Sequence, residues 1–329
     1  MRPSLGERVR LRAEVTHAIR SYFASSDAIE IEVPTLVPNP GNEAHLRAFE
    51  VRTRSHAFEG RRYLHTSPEF AIKASLARLE ADVFTFARSY RDEPPSPWHA
   101  PEFTMLEWYR RTDAEGDVVR DVDAIVRAAY RVAGAEAEWP APREVSLVAR
   151  YAELGVDARR LDRAELASAL LSAGVHVDES WDAASLFTLL YVECIEPALM
   201  RGAPATDRAP VIVTGFPAHQ AALAKLGDDG LARRFEVYLP APGGAVELAN
   251  AFAELTDPAE QRARFAADDA SRGAAGEPVY PSPERMLAGI AAMPPTVGIA
   301  LGLERLLTVT ASEALGWETE VSDWWADGA

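Results

Sequence analysis

Two runs of alternating hydrophobic and polar residues, 84–90 and 103–109, flank a proline-rich segment in the first third of the chain. Alternation with a period of two is typical of β-strands. Pro94, Pro95 and Pro97 lie between the runs, and proline is excluded from central strands because it lacks the N–H that a ladder needs. The pattern therefore predicts a β-hairpin with a long loop over residues 84–110.

Helical periodicity accounts for much of the remaining chain. Apolar residues spaced three and four apart predict helices over residues 8–24, 112–133, 145–173, 183–200 and 257–273, the last of them charged and solvated. Alternating or short apolar runs predict strands over residues 28–36, 45–53, 211–214, 235–239 and 245–255. Residues 298–309 run from an apolar strand into a helix.

Composition limits the classes of protein that the chain can form. The 329 residues are 48% hydrophobic, which is enough for one large core or two domains. The formal net charge of −16 disfavours broad binding to a phosphate backbone, where Lys and Arg supply most of the affinity. The one cysteine, Cys194, excludes an intrachain disulfide and is expected to be a small buried side chain. No apolar run is long enough to span a membrane, and the first residues lack a signal-peptide core, so we expect a cytoplasmic protein.

The hairpin carries polar residues with a chemical use at its loop end. Arg91 and Glu93 are two residues apart, so their side chains point to one face of the strand. A guanidinium beside a carboxylate suits a phosphate and its counter-group, and Phe103 offers a ring on which a nucleobase can stack. A surface hairpin with one salt bridge explains the same residues, so the pattern alone leaves both interpretations open.

The two arms of the hairpin, RSYRDE at 88–93 and HAPEFTMLEWY at 99–109, are similar to motif 2 of the class II aminoacyl-tRNA synthetases. The sequence PEFTMLEWY, residues 101–109, resembles that of the lysyl branch. This resemblance implies that Arg91 binds the α-phosphate of ATP, that Glu93 is the acid of the R-x-E step, and that Phe103 stacks on adenine.

Two other segments resemble the remaining motifs of the class. The helix at 8–24 and the strand that ends at Pro34 are similar to motif 1, which forms a dimer interface in the family, so a homodimer is expected. Residues 298–309, GIALGLERLLTV, are similar to motif 3, in which Arg305 lies on the γ-phosphate side of ATP. Gly302 allows close approach of a ligand, and Arg305 falls in a first helical turn, where free N–H groups favour anions.

Two acidic segments resemble the amino-acid site of the lysyl branch. Ser67 and Glu69 lie at a helix start, where they form an N-cap pair, substrate contacts implied by the resemblance, or both. GAVELANAFAELTD, residues 244–257, is similar to the E-x-x-N-G-x-x-E-L step of that branch. Glu247 is placed there to hold Mg²⁺ and nucleotide, and Glu254 to receive a substrate ammonium, whereas solvent-facing acids on a strand are the alternative.

The resemblance thus implies three sets of site residues. The catalytic set is Arg91, Glu93 and Arg305. The ATP-binding set is Arg91, Asp92, Glu93, His99, Ala100, Phe103, Glu247, Leu248, Gly302 and Arg305. The substrate-binding set is Ser67, Glu69, Tyr109, Asn250, Glu254 and Ala300, and the expected metal ligands are Glu247 and Glu254. Ala300 stands where lysyl-tRNA synthetases usually have glycine, and it either selects between substrates or only packs in the core.

The resemblance covers the whole chain and implies an α+β fold, with a mostly antiparallel sheet flanked by helices, in a single catalytic domain over residues 1–329. No segment is left for an anticodon-binding domain, so no tRNA partner is expected. A catalytic core alone, with this negative charge, resembles the elongation factor P–lysine ligase subfamily. That subfamily activates (R)-β-lysine with ATP and Mg²⁺ and attaches it to a lysine of elongation factor P.

Several positions depart from the family pattern. Ala100 and Ala251 replace an asparagine and a glycine, and prolines replace a charged motif 2 loop. Two alternatives therefore remain open: a lysyl-adenylate enzyme that loads another carrier, and a paralogue that binds without catalysis. The complete set of charged residues favours an active enzyme.

Overall fold

A computed structural model of the protein describes residues 1–43, 45–52, 60–135, 141–200, 209–242 and 244–325. The chain forms two compact units. The first consists of Met1–Glu136 and Phe252–Ala329, and the second of Ala137–Ala251. None of the described helices is both long and apolar enough to cross a membrane.

Groups of helices and groups of strands follow one another along the described part of the chain. The helices are α1 (Leu5–Ser25), α2 (Glu69–Leu79), α3 (Glu115–Val132), α4 (Leu147–Glu153), α5 (Arg163–Ser172), α6 (Ala183–Leu190), α7 (Pro258–Ala274), α8 (Glu284–Ile290) and α9 (Leu303–Leu315). The strands are β1 (Ile29–Glu30), β2 (Leu36–Val37), β3 (Glu50–Val51), β4 (Arg62–Leu64), β5 (Val83–Tyr90), β6 (Glu102–Arg110), β7 (Arg143–Ser146), β8 (Val211–Thr214), β9 (Phe216–Pro217), β10 (Leu231–Ala232), β11 (Arg234–Ala241), β12 (Gly244–Ala253) and β13 (Val297–Gly302). Short helical turns lie at Tyr191–Ile195, Glu196–Ala198, Ala218–Gln220 and Val321–Trp324.

The main sheet of the first unit has the strand order β1-β5-β6-β13. β1 pairs with β5 in parallel, whereas β5 with β6 and β6 with β13 are antiparallel. The predicted hairpin is confirmed as β5 and β6. Glu107 on β6 lies opposite both Thr85 on β5 and Ala300 on β13, so these three side chains share one face of the sheet.

The two faces of this sheet have different compositions. On one face, Phe23 of α1 stacks on Phe84 at 4.5 Å between ring centroids and lies 5.6 Å from Trp108. α3 and α9 contact β13 and β6, so helices cover this apolar face. The other face carries Glu107 and Tyr109 together with small residues, and the chemistry of the sequence motifs lies there.

The second unit contains the strand order β12-β11-β8-β7. β11 and β8 are antiparallel, and β8 and β7 are parallel. Tyr151 of α4 stacks on Phe187 of α6, with ring centroids 4.2 Å apart. Each unit thus combines helices with a mostly antiparallel sheet, and the expected α+β fold is confirmed.

Three predicted elements differ from the structure. The strand predicted over residues 28–36 is reduced to β1 and β2, because Pro34 cannot donate to a ladder. Of the strand predicted over residues 45–53, only β3 forms, and residue 53 lies outside the described residues. The helix predicted over residues 145–173 is wrong at its start and in its middle. There β7 ends at Ser146, which caps α4, and Gly155, at φ +77°, follows α4 before α5 begins.

Two predictions about burial are only partly correct, although most residues of α7 are exposed as expected. The charged helix α7 is not solvated all round, because Arg272 is 1% exposed and donates to the carbonyl oxygens of Pro278, Glu43 and Leu46 at 2.8–2.9 Å. These carbonyl groups replace water around the guanidinium. Cys194 is half-buried in a helical turn instead of fully buried.

Close packing of α8 against α2 depends on a glycine. A Cβ added at Gly289 would lie 2.6 Å from the carbonyl oxygen of Lys73 and 2.7 Å from the Cα of Ala74. Both atoms belong to the backbone of α2, so a neighbouring side chain cannot move away to make room. Gly289 therefore sets the distance between α8 and the helix that carries Glu69 and Lys73.

We expect Gly289→Ala to lower the free energy of unfolding by about 1–3 kcal/mol, because the added methyl group overpacks the contact between the helices. Urea unfolding measures this change. The matched control is Gly273→Ala in α7, where an added Cβ has no atom within 4 Å. That control should be neutral or gain up to about 1 kcal/mol from helix propensity. Equal effects of the two variants would contradict the proposed packing role.

Candidate active site

Glu107 lies at the centre of the polar face of the first sheet and is 1% exposed. Its Oε1 accepts a hydrogen bond from Ser67 Oγ at 2.5 Å, and its Oε2 accepts one from the Tyr109 hydroxyl at 3.1 Å. Burial, together with the charge of Glu69, raises the pKa of Glu107 to about 8. Burial therefore favours the protonated form of this carboxyl group, and a nearby cation would favour the ionised form.

The start of α2 places Ser67 and Glu69 beside Glu107. Pro68 is the N-cap residue, and Ser67 Oγ accepts a hydrogen bond from the Glu69 N–H at 3.1 Å. The same hydroxyl donates to Glu107, so its role at the helix start and its position at the site do not exclude each other. Burial raises the pKa of Glu69, although Lys73 opposes this effect.

Lys73 lies one turn further along α2 and is 1% exposed. Its Nζ is 2.6 Å from Glu69 Oε1 and also contacts Glu254 Oε2. Burial disfavours the ammonium form, but the charges of Glu254 and Glu69 outweigh burial and raise the pKa of Lys73. We call Glu69, Lys73, Glu107 and Glu254 the charged cluster.

Glu254 follows β12, and its N–H donates to Thr296 O at 2.9 Å. Burial raises the pKa of its carboxyl group to about 8, and Glu69 adds to this effect against Lys73. A Cβ added at Gly298 would overlap Glu254 Oε1 and the Tyr109 ring, so the first glycine of the motif 3 segment makes room for both. The role of Glu254 as a metal ligand stays a prediction, and the contact with Lys73 weighs against it. The described residues contain no group of three or more His, Cys, Asp or Glu arranged for a metal ion.

The predicted phosphate-binding residues lie at the loop end of the hairpin. The Arg91 guanidinium is 5.2 Å from the centre of the Phe103 ring, so the two residues share one side of the strands. Arg305 donates to His99 Nε2 at 2.9 Å and to the Trp98 carbonyl oxygen at 3.2 Å. The motif 2 loop and the motif 3 arginine are therefore brought together. Glu93, two residues after Arg91, is half-buried.

The start of α9, which carries Arg305, is attached to β6 and α1. Glu304 accepts hydrogen bonds from the Thr104 N–H and from Arg12 Nη1, both at 2.8 Å. Glu304 is 1% exposed, so these two donors satisfy a buried carboxylate. At Gly302 the nearest atoms to an added Cβ would be side-chain atoms of Arg305, at 3.5 Å or more. Packing alone therefore does not require this glycine.

The other exposed members of the predicted ATP set are Asp92 and His99, and Ala100 is half-buried. The Asp92 N–H donates to Arg47 O at 2.9 Å. His99 Nδ1 is 2.8 Å from Ser96 Oγ. Because Nε2 accepts from Arg305, the proton belongs on Nδ1, and the imidazole links the loop to Arg305.

Glu247, Leu248 and Asn250 belong to the second unit. Asn250 Oδ1 accepts a hydrogen bond from Arg234 Nη2 at 3.1 Å, and the same nitrogen is 2.5 Å from Glu236 Oε1. Burial, with the charge of Glu247 against that of Arg234, raises the pKa of Glu236 to about 7. Glu247 is half-buried, and Leu248 is 2% exposed. Asn250 is thus held by a buried ion pair.

Sequence reasoning missed Glu107, Lys73 and Gly298. Glu107 interrupts a run of buried apolar residues in β6, and a lone acid in such a run was the available signal. Lys73 lies four residues after Glu69, a spacing that pairs side chains along a helix. The clash at Gly298 arises between distant segments and leaves no mark in the local sequence.

Comparison with known proteins identifies the family. The chain matches the family described as tRNA synthetases class II (D, K and N) over residues 1–315, which spans parts of both units. The chain therefore belongs to this class II synthetase family, and the fold predicted from the motifs is confirmed.

Particular relatives within the family share one name. An elongation factor P–(R)-β-lysine ligase of Edwardsiella ictaluri is 34% identical over 309 residues, covering 92% of this chain and 90% of the relative. Proteins of the same name from Erwinia tasmaniensis and Proteus mirabilis are 36% and 35% identical. These alignments cover 90% and 95% of this chain, and 88% and 92% of the relatives.

We expect Glu107→Gln to change the pH dependence of stability. The native pKa of Glu107 lies above its ordinary value of 4.5, so the stability from its buried proton is present at low pH and is lost as pH rises towards about 8. The variant cannot titrate, and its free energy of unfolding should fall less steeply, by up to about 1.4 kcal/mol per pH unit. Urea unfolding between pH 5 and 8 measures the slopes. Glu102→Gln, at the exposed start of β6, is the control, and a wild-type slope in Glu107→Gln would refute the assignment.

Proposed function

We propose that this protein is an ATP-dependent ligase that activates (R)-β-lysine, or lysine, as an adenylate and transfers it to a lysine side chain of elongation factor P. Family membership and the names of the relatives support this reaction. The observation that carries it to this chain is the charged cluster, in which Glu69, Glu107 and Glu254 are buried and Lys73 forms ion pairs with Glu69 and Glu254.

The charged cluster is suited to a substrate with two ammonium groups. Buried carboxylates cost free energy unless cations or protons accompany them. An amino acid with ammonium groups at both ends supplies cations that stabilise the ionised forms of Glu107 and Glu254, and the carboxylates fix its direction. Ser67, Tyr109 and Asn250 supply the polar contacts that the family resemblance assigns to substrate. The substrate carboxylate then points away from the acids and towards ATP.

ATP is the co-substrate in this proposal. Arg91 binds the α-phosphate, Phe103 stacks on adenine, and Arg305 binds the distal phosphates after it exchanges its contact with His99 for the nucleotide. The proximity of Arg91 to Phe103 supports binding of base and phosphate by one side of the hairpin. Asp92, Glu93, Ala100, Leu248 and Gly302 complete the nucleotide contacts implied by the family.

Glu247 suits Mg²⁺, because a single protein carboxylate with phosphate oxygens is a common magnesium environment. When bound, the ion supplies neutralisation of phosphate charge. The Lys73 contact leaves Glu254 better suited to an ammonium group than to a metal ion. The single catalytic domain over residues 1–329 remains part of the proposal.

The proposed reaction has two steps, adenylate formation and transfer to the acceptor amine. In the first, a substrate carboxylate oxygen bonds to the α-phosphorus and pyrophosphate leaves, while Arg91 stabilises the charge that develops on the α-phosphate. In the second, the neutral acceptor amine attacks the acyl carbonyl, an amide forms, AMP leaves, and the amine proton passes to solvent. No side-chain nucleophile is required.

The partners of the protein follow from the same proposal. Elongation factor P is the acceptor named in the relatives. A net charge of −16 opposes binding of a tRNA backbone, so tRNA is not an acceptor here. The homodimer remains part of the proposal, with the first helix and residues 29–36 at the interface, and Ile29 is 49% exposed. Light scattering that gave a monomer mass at micromolar concentration would contradict the dimer.

The function is tested by amino-acid-dependent ATP–pyrophosphate exchange, followed by transfer of radiolabelled amino acid. We expect exchange with (R)-β-lysine or lysine and label on elongation factor P, with none on tRNA. Label on another carrier would favour the lysyl-adenylate alternative, and absence of exchange would favour the non-catalytic paralogue.

Arg91→Ala should abolish exchange and leave the fold intact, because loss of such a charge-stabilising donor raises the barrier by about 3–4 kcal/mol. The control is Arg111→Ala, an exposed arginine just after β6. Circular dichroism checks the fold of both variants. Exchange by Arg91→Ala at a near wild-type rate would show that the hairpin does not bind the reacting phosphate.

Ala300→Gly should raise kcat/KM for lysine relative to (R)-β-lysine. Ala300 lies opposite Glu107 on the same face, so its methyl group limits the space beside an ammonium-binding acid. One methyl-sized feature is worth at most about 1–3 kcal/mol of selectivity. The control is Ala87→Gly, which removes a methyl group opposite Met105. An unchanged or reversed ratio in an active Ala300→Gly enzyme would assign Ala300 to packing.

A further inference from the structure

Lys73 joins two segments that are far apart in sequence. Its ammonium group contacts Glu69 on its own helix and Glu254 after β12, and the side chain is 1% exposed. Glu69 and Glu254 are the two acids that the family resemblance places at the substrate. A cation of the protein itself therefore lies between the two acids expected to bind cations of the substrate.

The residue type at this position is unusual for this chain. Of its 34 Lys and Arg residues, all but Lys73 and Lys225 are arginines. Arginine presents a wide planar fork, whereas lysine presents a compact charge on a flexible stem. A compact ammonium can bridge two carboxylates in a narrow buried space, where Gly298 already marks tight packing around Glu254.

We propose that Lys73 is a positioning residue of the amino-acid site, which holds Glu69 and Glu254 in place for the substrate and balances one of the three buried negative charges. The inference rests on the proposed function. It assigns to Lys73 a role in the reaction without contact with the reacting atoms.

Lys73 neutralises only part of the negative charge of the charged cluster, and the remainder is available to a cationic ligand. The three carboxylates of the charged cluster carry three negative charges when ionised, and Lys73 supplies one positive charge. Two charges remain, which equals the number of ammonium groups on lysine or β-lysine. Glu254 Oε1 is buried beside Gly298 and has no hydrogen-bond donor among the described residues, so one acceptor of the charged cluster is unsatisfied. Without Lys73 the site would hold one more unbalanced carboxylate than the substrate can neutralise.

Position matters as much as charge. Glu254 lies where any side chain at residue 298 would overlap it, so its carboxylate has little freedom on that side. Lys73, which is carried by α2, holds the Glu254 carboxylate through its ion pair. The distance between α2 and α8 is in turn set by Gly289. Loss of the ammonium would release Glu254 and Glu69 together and misplace the contacts for one end of the substrate.

The kinetic test compares Lys73→Met, Lys73→Arg and the control Arg78→Met, which removes an exposed cation from the same helix. In pyrophosphate exchange we expect Lys73→Met to raise KM for the amino acid at least tenfold and to leave KM for ATP within twofold. Lys73→Arg keeps the charge but introduces a wider group, so its KM should lie between those of Lys73→Met and wild type, and Arg78→Met should match wild type. An unchanged amino-acid KM in Lys73→Met, or equal increases for both substrates, would overturn the proposal.

Thermal unfolding provides a second test that does not need an active variant. If Lys73 balances buried charge, Lys73→Met should lower the melting temperature, and the double variant Lys73→Met/Glu254→Gln should recover part of the loss, because an amide needs no counter-ion. A double variant no more stable than Lys73→Met would overturn the proposal and assign Lys73 to packing.

The two proposals fail in different ways. If wild-type protein shows no exchange with either lysine isomer, the proposed function fails, and the melting comparison still tests the pairing of Lys73 with Glu254. If wild-type protein is active and Lys73→Met keeps its amino-acid KM, only the role of Lys73 fails.

Discussion

Burial of negative charge against the first sheet is the constraint on which the site depends. A carboxylate removed from water requires a proton, a cation or several hydrogen-bond donors. The protein uses all three solutions. Lys73 supplies a cation to Glu69 and Glu254, and two hydroxyl groups donate hydrogen bonds to Glu107. Burial also raises the pKa of Glu107, which favours its protonated form. The fold then needs elements that bring these groups to one face. α2, β6, β13 and the end of β12 meet that requirement.

Helix α2 connects local structure to chemistry. Ser67 serves its first turn and Glu107 with one hydroxyl, so the start of the helix is fixed to the sheet. Contact with α8 at Gly289 fixes the next turn, which carries Lys73. Across the sheet, Glu304 fixes the start of α9 through Thr104 and Arg12. Rigid helix starts on both sides hold charged side chains better than loops would, because their backbone positions are determined by packing.

Sequence patterns predicted the parts of the fold that depend on local regularity. The hairpin followed from alternation and prolines, and the strand–helix turn at Arg305 followed from the glycine pattern. β7 was missed because its four residues precede a helix, and its parallel partner β8 is about 65 residues away, beyond any local pattern. Arg272 was placed in solvent because its backbone acceptors come from other segments. The site was predicted through its motif residues, whereas Lys73 and Glu107 gain significance only from contacts across the fold.

The row of small residues along β13 has a consequence for how this site can change over evolution or by engineering. Gly298, Ala300 and Gly302 lie on the face that carries Glu107, so the main chain itself forms this wall. A single substitution at these positions can add side-chain atoms, but almost no side-chain atoms are present to be removed. Point mutations at these positions can therefore exclude substrates far more readily than they can admit larger ones. Bulkier substrates would require a shift of the strand, and therefore many coordinated changes.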